Sequence, residues 1–295
     1  MAHRAKLLRL PGHGRLLVAA DLHGNYRDFL TIAQRFERLG EDAYLLLLGD
    51  LVHGPYLAPA DWPKDVPFGH PLAGRPYRDE SPAVLLGVQL LAARHPGRVH
   101  VLLGNHEHAH IGGPRTALFA RDEATALEQR IGIEASLHMA SYFRSLPIVA
   151  WAPCGLLFSH AAPAVELVRI EDLESIDYRR YIAPRRTDKP RSTKSNKPGD
   201  HAARLLGQLL WEHVLPPFKA QALLARVSAQ IAIYGHTIIP TGYQAIGYEQ
   251  IILSSSFGMR DEHKTVLLID LDEHYLTVDS LRPGIELLPL YENPS

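Results

Sequence analysis

Three short apolar runs, each ending in a polar motif, constrain this chain more than any other feature. Leu16-Leu17-Val18-Ala19-Ala20 ends in Asp21-Leu22-His23-Gly24-Asn25, and Tyr44-Leu45-Leu46-Leu47-Leu48 ends in Gly49-Asp50. Val99 to Leu103 ends in Gly104-Asn105-His106-Glu107. After the first run, Tyr26, Phe29, Ala33 and Phe36 fall on one helical face, and Gly40 supplies a stop that accepts a left-handed cap. A second helical stretch, Ala83 to Ala93, precedes the third run. Strand–helix–strand–helix–strand predicts an α/β fold with helices covering a sheet. The polar motifs fall just beyond the strand ends, where open α/β sheets place their ligand sites.

The second half reads as more β-rich. Ile148-Val149-Ala150 and Leu156-Leu157-Phe158 flank a turn at Pro153-Cys154-Gly155. Ile231 to Tyr234, Gln250 to Leu253 and Thr265 to Leu271 follow as strands, and Tyr275 to Leu281 is expected to close the sheet. Two irregular loops interrupt the pattern: residues 54–82, rich in proline and aromatics, and residues 184–200, rich in proline, lysine and arginine. Strand patterns continue on both sides of them, so residues 1–295 are expected to form one domain. That length can bury a large core. With 31 basic and 32 acidic residues, no broad nucleic-acid surface is expected. A lone cysteine, Cys154, permits no intrachain disulfide or thiolate cage and suggests a cytoplasmic setting. No apolar run approaches the ~20 residues of a membrane span, and the first residues do not resemble a signal peptide. Oligomeric state is not legible.

The strand-end residues form a chemical set. Asp21 and His23, two apart in extended chain, point to one side and can reach one metal ion. Asp50 is a carboxylate able to bridge two ions, and Asn105 offers an amide oxygen. His160 and His236 each follow an apolar run. These oxygen and nitrogen donors suit Mn, Fe or Zn better than Ca or a thiolate site.

The ordered motifs Asp21-Leu22-His23-Gly24, Gly49-Asp50, Gly104-Asn105-His106-Glu107, His160 and Gly235-His236-Thr237 resemble those of the calcineurin-like metallophosphoesterases, especially the phosphoprotein phosphatase branch. Phe143 to Ala150, Leu209-Leu210-Trp211-Glu212 and Ser254 to Gly258 are similar to that branch too, so the likeness spans roughly residues 16–280. The resemblance implies a two-layer β-sandwich flanked by helices, with two metal ions at the strand ends. Asp21 and His23 would bind the first ion, Asp50 would bridge, and Asn105, His160 and His236 would bind the second. A metal-bridging hydroxide would attack phosphorus in line. His106 would protonate the leaving alkoxide, and Glu107 would orient its loop.

One motif departs from the family. Where the branch reads Gly-Asp-x-Val-Asp-Arg-Gly, this chain has Gly49-Asp50-Leu51-Val52-His53-Gly54-Pro55. His53 replaces the carboxylate partner of the acid histidine, Gly54 replaces a phosphate-gripping arginine, and Leu103 stands where another arginine is frequent. Either other residues supply the charge, or the substrate carries less of it, as a phosphodiester does. His53 is therefore a second catalytic candidate, as an alternative protonatable donor. His108 and His110 are expected to face solvent, Trp211 to pack in the core, and the basic run Arg185 to Lys197 to be a solvated loop. Loop 54–82, directly after the altered motif, is a candidate substrate rim. The leading expectation is a phosphatase for phosphorylated serine, threonine or tyrosine in proteins, or for a small phosphoester. A symmetrical dinucleoside tetraphosphatase or phosphodiesterase, and a metal-binding scaffold with little catalysis, are the alternatives.

Overall fold

The computed structural model describes residues 5–67, 69–184 and 199–292. Most of the loop expected over 184–200, with its basic run, lies outside them. The strands are β1 (Leu7–Arg9), β2 (Arg15–Ala19), β3 (Ala43–Leu47), β4 (Val99–Val101), β5 (Val149–Ala152), β6 (Leu156–Ser159), β7 (Ile231–Tyr234), β8 (Tyr243–Ile246), β9 (Gln250–Leu253), β10 (Thr265–Asp270) and β11 (Leu287–Pro289). They form two sheets, one ordered β1-β5-β6-β7-β9-β8 and the other β11-β10-β2-β3-β4. The helices are α1 (Tyr26–Arg38), α2 (Ser81–Arg94), α3 (Asn105–His108), α4 (Glu123–Ile131), α5 (Ile133–Arg144), α6 (Asp200–Trp211) and α7 (Pro217–Arg226).

Side-chain alternation explains why the early strands are apolar throughout. Leu16 and Val18 on β2, Leu46 on β3 and Leu48 just after it face a core shared with Phe158, Ile231, Ile233 and Ile251 of the opposite sheet. The alternate residues Leu17, Ala19, Leu45 and Leu47 join a second core with Phe29, Ile32 and Phe36 of α1 and Val84 and Val88 of α2. Strands buried on both faces need no polar side. This is the two-layer sandwich flanked by helices that the family resemblance implies. Strands β2, β3 and β4 are mutually parallel, as are β6 and β7, so strand ends from both sheets can meet at one end of the sandwich.

Two expectations change. Tyr275 to Leu281 does not close the sheet; Val278–Ser280 is a short 3-10 turn. Its buried residues, Tyr275, Val278 and Leu281, recur every three positions, which is the period of such a turn and not of a strand. β11 closes that edge instead, antiparallel to β10. The short strands β1 and β8 also lie outside the sequence-predicted set, because neither has a clear apolar alternation.

An ion cluster buried beside the sheet ties α1 to the chain around β10. Lys264, 2% exposed, has its Nζ 2.8 Å from Asp28 Oδ2 and 2.8 Å from Asp261 Oδ1. Tyr291 donates its hydroxyl to Asp28 Oδ1 at 2.6 Å, and Ser256 donates to Asp28 Oδ2. Lys264→Met leaves two carboxylates without their buried cation. It should lower unfolding free energy by about 3–5 kcal/mol, the cost of breaking such a pair, measured by urea denaturation. A loss below 1 kcal/mol would contradict this account of the cluster.

Candidate metal centre

The strand-end residues meet because the backbone turns sharply where each strand stops. Among described non-glycine residues, φ is positive at Asp21 (56°), His23 (44°), Asp50 (52°), His53 (68°), His236 (66°) and Ser228 (54°). All but Ser228 are candidate site residues. Left-handed backbone disfavours a residue with a Cβ by roughly 1–2 kcal/mol, so surrounding bonds must enforce it. The amide of His23 donates to Asp50 O and that of Gly24 to Leu51 O, each at 2.8 Å, which locks the first two motifs together. Glu107 locks the third to the second. Its carboxylate accepts from the amides of Asp50 and Leu51, both at 2.8 Å, of Gly104 at 3.0 Å and of Val52 at 3.3 Å. Close approach also selects glycine: a Cβ at Gly104 would collide with Asp50, and one at Gly235 would lie 2.6 Å from Asp21 Oδ2.

At the centre is Asp50, whose Oδ2 lies 3.4 Å from His23 Nε2 and 3.4 Å from His160 Nε2. Each imidazole is oriented from behind. His23 Nδ1 is 3.0 Å from the His53 carbonyl and His160 Nδ1 is 2.9 Å from the Leu48 carbonyl. A carbonyl only accepts, so both Nδ1 atoms carry hydrogen and, in neutral rings, both Nε2 lone pairs point at the carboxylate. Asn105 Oδ1 adds another oxygen 2.8 Å from His160 Nε2. Buried acceptors converging on one another repel unless a cation lies among them. The donor set therefore fits metal ions of the borderline type.

Among the described residues, two groups that share Asp50 bring ligand atoms within 4.8 Å of one another, His23, Asp50 and His106, and Asp50, His160 and His236, while a third, His53, His106 and Glu123, lies behind them. Asp50 belongs to both, so this site could hold two ions on either side of one carboxylate. Asp21 lies outside both groups. Its carboxylate accepts from the His236 amide at 3.0 and 3.2 Å and borders the same cavity. Burial disfavours charge on the Asp50 carboxyl, yet His160, His106 and His23 hold its pKa well below the usual value. At His23, burial is likewise outweighed by Asp50, and the pKa rises to about 9, so a proton on Nε2 and a metal ion compete for the same place beside the carboxylate. Burial keeps His236 neutral, with His160 adding to the effect.

His106 borders the cavity with Nδ1 turned 2.9 Å from His53 Nδ1. His53 itself is fully buried and outside the cavity lining, behind His106. Burial and the neighbouring His106 and His110 push its pKa well below the usual value, so it does not supply a cation in place of the missing arginine. Neither His108 nor His110 faces solvent, contrary to expectation. His108 Nε2 is 2.7 Å from the Tyr178 carbonyl, and His110 Nε2 is 2.9 Å from His53 Nε2. Trp211 lines the cavity near His236 and is not a core residue alone. From loop 54–82, Pro71 reaches the cavity. The sequence offered no signal for Arg115, Thr116, Glu123 or Glu128, which follow the third motif without any pattern of their own.

The cavity measures about 510 Å³, and Arg115 is the one lysine or arginine among its lining residues. Leu118, Trp211, Ile238 and Phe257 give it apolar walls. Among the described residues, no helix is long and apolar enough to cross a membrane.

A protein serine/threonine phosphatase from Saccharomyces cerevisiae has a similar structure, with a TM-score of 0.58 at 16% identity over 90% of this chain and 77% of its own. A cold-active protein-tyrosine phosphatase from a psychrophilic Shewanella species superposes with a TM-score of 0.56 at 14% identity, over 92% and 79% of the two chains. At such identities the likeness establishes the fold. No curated protein matches the sequence. The sequence profile of the calcineurin-like phosphoesterases, by contrast, matches residues 14–240, which run from β2 past β7 and include every strand end that meets at Asp50; the chain belongs to that family of phosphoester hydrolases.

Proposed function

We propose that the chain is a dinuclear-metal phosphomonoesterase, with phosphorylated protein side chains or small aryl and alkyl phosphates as substrates. The observation that carries this reading is the equal 3.4 Å spacing of Asp50 Oδ2 from the Nε2 atoms of two imidazoles, each oriented by a backbone carbonyl. His23 and Asp21 would serve one ion, Asn105, His160 and His236 the other, and Asp50 both. When bound, the two ions would polarise the phosphoryl oxygens and activate water at neutral pH.

The remaining work falls to side chains. Arg115 borders the cavity and reaches Glu128 at 3.5 Å, so its guanidinium can turn to a phosphate oxygen and take the place of the grip missing at Gly54. Trp211, Phe257 and Leu118 form walls that exclude water and accept the apolar part of a leaving group. When His106 Nδ1 accepts from His53 Nδ1–H, the proton of His106 sits at Nε2, where it can pass to the leaving alkoxide. A single guanidinium suits one phosphoryl group better than the four of a dinucleoside tetraphosphate.

Turnover should appear with Mn, Fe or Zn on 4-nitrophenyl phosphate and phosphopeptides, and exceed that on bis(4-nitrophenyl) phosphate or a dinucleoside tetraphosphate. Asp50→Asn should reduce it by at least the ~100-fold that outer-shell changes at metal sites can cost. Hydrolysis by none of these metals would contradict the enzyme reading, and preferential diester turnover would contradict the monoester assignment. For Arg115→Ala, inhibition by inorganic phosphate should weaken about tenfold, equivalent to the ~1.4 kcal/mol of one lost charge-assisted contact. An unchanged inhibition constant would remove Arg115 from substrate binding.

A further inference from the structure

Behind His106, three ligand atoms from separate segments converge inside the protein. His53 Nδ1 and His106 Nδ1 are 2.9 Å apart, and Oε2 of Glu123, the first residue of α4, lies 3.9 Å from the former and 3.7 Å from the latter. Sides of 2.9, 3.7 and 3.9 Å make an acute triangle, so one point inside it is about 2.1 Å from all three corners. Zinc bonds to imidazole nitrogen and carboxylate oxygen have that length, ~2.0–2.2 Å. A fourth donor, Thr116 Oγ1, is 3.2 Å from His53 Nδ1. All four side chains are buried, and Thr116 and His106 also border the cavity, which gives an ion a way in.

We infer that His53, His106, Glu123 and Thr116 hold a third metal ion, of the zinc type, separate from the pair at Asp50. This goes beyond the phosphomonoesterase reading and does not rest on it. The residue that points to a cation is Glu123. It is fully buried, and its Oε2 has no hydrogen-bond partner among the described residues. A buried oxygen in that state bears the whole cost of its lost hydration. A hydrogen shared between the two imidazoles would join the rings and still leave this oxygen alone, because 3.7 and 3.9 Å are beyond hydrogen-bond reach. A cation at the common point satisfies all three atoms at once. Two imidazoles, a carboxylate oxygen and a hydroxyl suit zinc better than calcium or magnesium, which take oxygen ligands.

The chain around the four donors holds them in place. Glu123 Oε1 accepts from the Phe119 amide at 2.7 Å, which leaves Oε2 to the rings. The Glu123 amide donates to the Thr116 carbonyl at 3.1 Å, so carboxylate and hydroxyl are fixed relative to one another. The His53 amide donates to Ser81 Oγ at 2.9 Å, and the His106 amide to Asp50 Oδ1 at 3.1 Å. On its far side His53 Nε2 meets His110 Nε2 at 2.9 Å, and His110 Nδ1 meets Glu128 Oε1 at 2.7 Å. Imidazoles that bind metal regularly have such outer partners, which fix the ring. The ion would stand where the family pattern has a carboxylate beside the acid histidine. With His53 at that position, Glu123 supplies the carboxylate from α4, and the metal joins it to both rings. It thereby fixes the ring of His106 and ties the segment between α3 and α4 to the loop after β3.

Anomalous scattering at the zinc edge, which needs no turnover, locates each ion separately. Crystals of the full chain, stripped with a chelator and reloaded with zinc, should show a peak bonded to His53 Nδ1, His106 Nδ1 and Glu123 Oε2, apart from those at Asp50. Equilibrium dialysis against zinc should count three ions per chain. In Glu123→Gln, whose side-chain oxygen can still accept from the Phe119 amide, the count should fall by one and this peak alone should vanish. His53→Phe, which fills the same space without a ligand atom, should lose the same ion, so the result does not hang on one variant's folding. No peak among these side chains in the wild type at saturating zinc would overturn the third site. A full count retained in both variants would overturn it too. Absence of the peaks at Asp50 with this one present would strike the dinuclear reading instead and leave the third ion standing.

Discussion

A carboxylate oxygen 3.4 Å from two imidazole lone pairs is the interaction on which the rest of this structure depends. With both rings neutral and neither a proton nor a metal ion among them, Asp50, His23 and His160 are buried acceptors facing one another. Nothing local would hold them there. The fold does so from outside: carbonyls of Leu48 and His53 fix the two rings, and the four amides at Glu107 fix the loops after β3 and β4. Left-handed backbone at Asp21, His23, Asp50, His53 and His236 is a consequence of that arrangement, since each strand must end abruptly to present its side chain. Further out, Phe257 connects this region to the buried Lys264 cluster. Its amide donates to Asp21 O, its ring lies 4.2 Å from His23, and the adjacent Ser256 bonds Asp28.

The altered second motif changes which side chains surround this centre. Loss of the arginine at Gly54 leaves Arg115, from a different segment, as the guanidinium bordering the cavity. Loss of the carboxylate at His53 leaves a ring whose two nitrogens meet His106 and His110. A ring can pass hydrogen bonding on; a carboxylate buried in the same place would stop it. Glu128 connects both replacements, because it meets His110 at 2.7 Å and Arg115 at 3.5 Å.

Much of this was legible in the sequence where periodicity and motif coincide. The β2–α1–β3 and α2–β4 units follow from apolar runs that end in polar motifs, and Asn25 caps α1 where the first motif stops, its Oδ1 3.1 Å from the Asp28 amide. Strand-end clustering of Asp21, His23, Asp50, Asn105, His160 and His236 was foreseeable for the same reason, whereas Asp21 bonding to the His236 amide was not. Short edge strands such as β1 and β11 escaped, because three residues carry too little pattern to distinguish a strand from a turn. Burial of His108 and His110 escaped too: polar residues after a motif read as surface until the packing of Tyr178 against His108, and of Glu128 on α4 and Phe143 on α5 against His110, is known. Arg115, Glu123 and Glu128 belong to that packing, and their roles depend on distance in space alone.

Anomalous scattering from crystals grown with Mn tests the central claim most directly. The account predicts two peaks, roughly 3.5–4 Å apart as in two-metal sites, on either side of Asp50 Oδ2, one beside His23 and one between His160 and His236. A single peak, or ions that leave Asp50 uncoordinated, would contradict it.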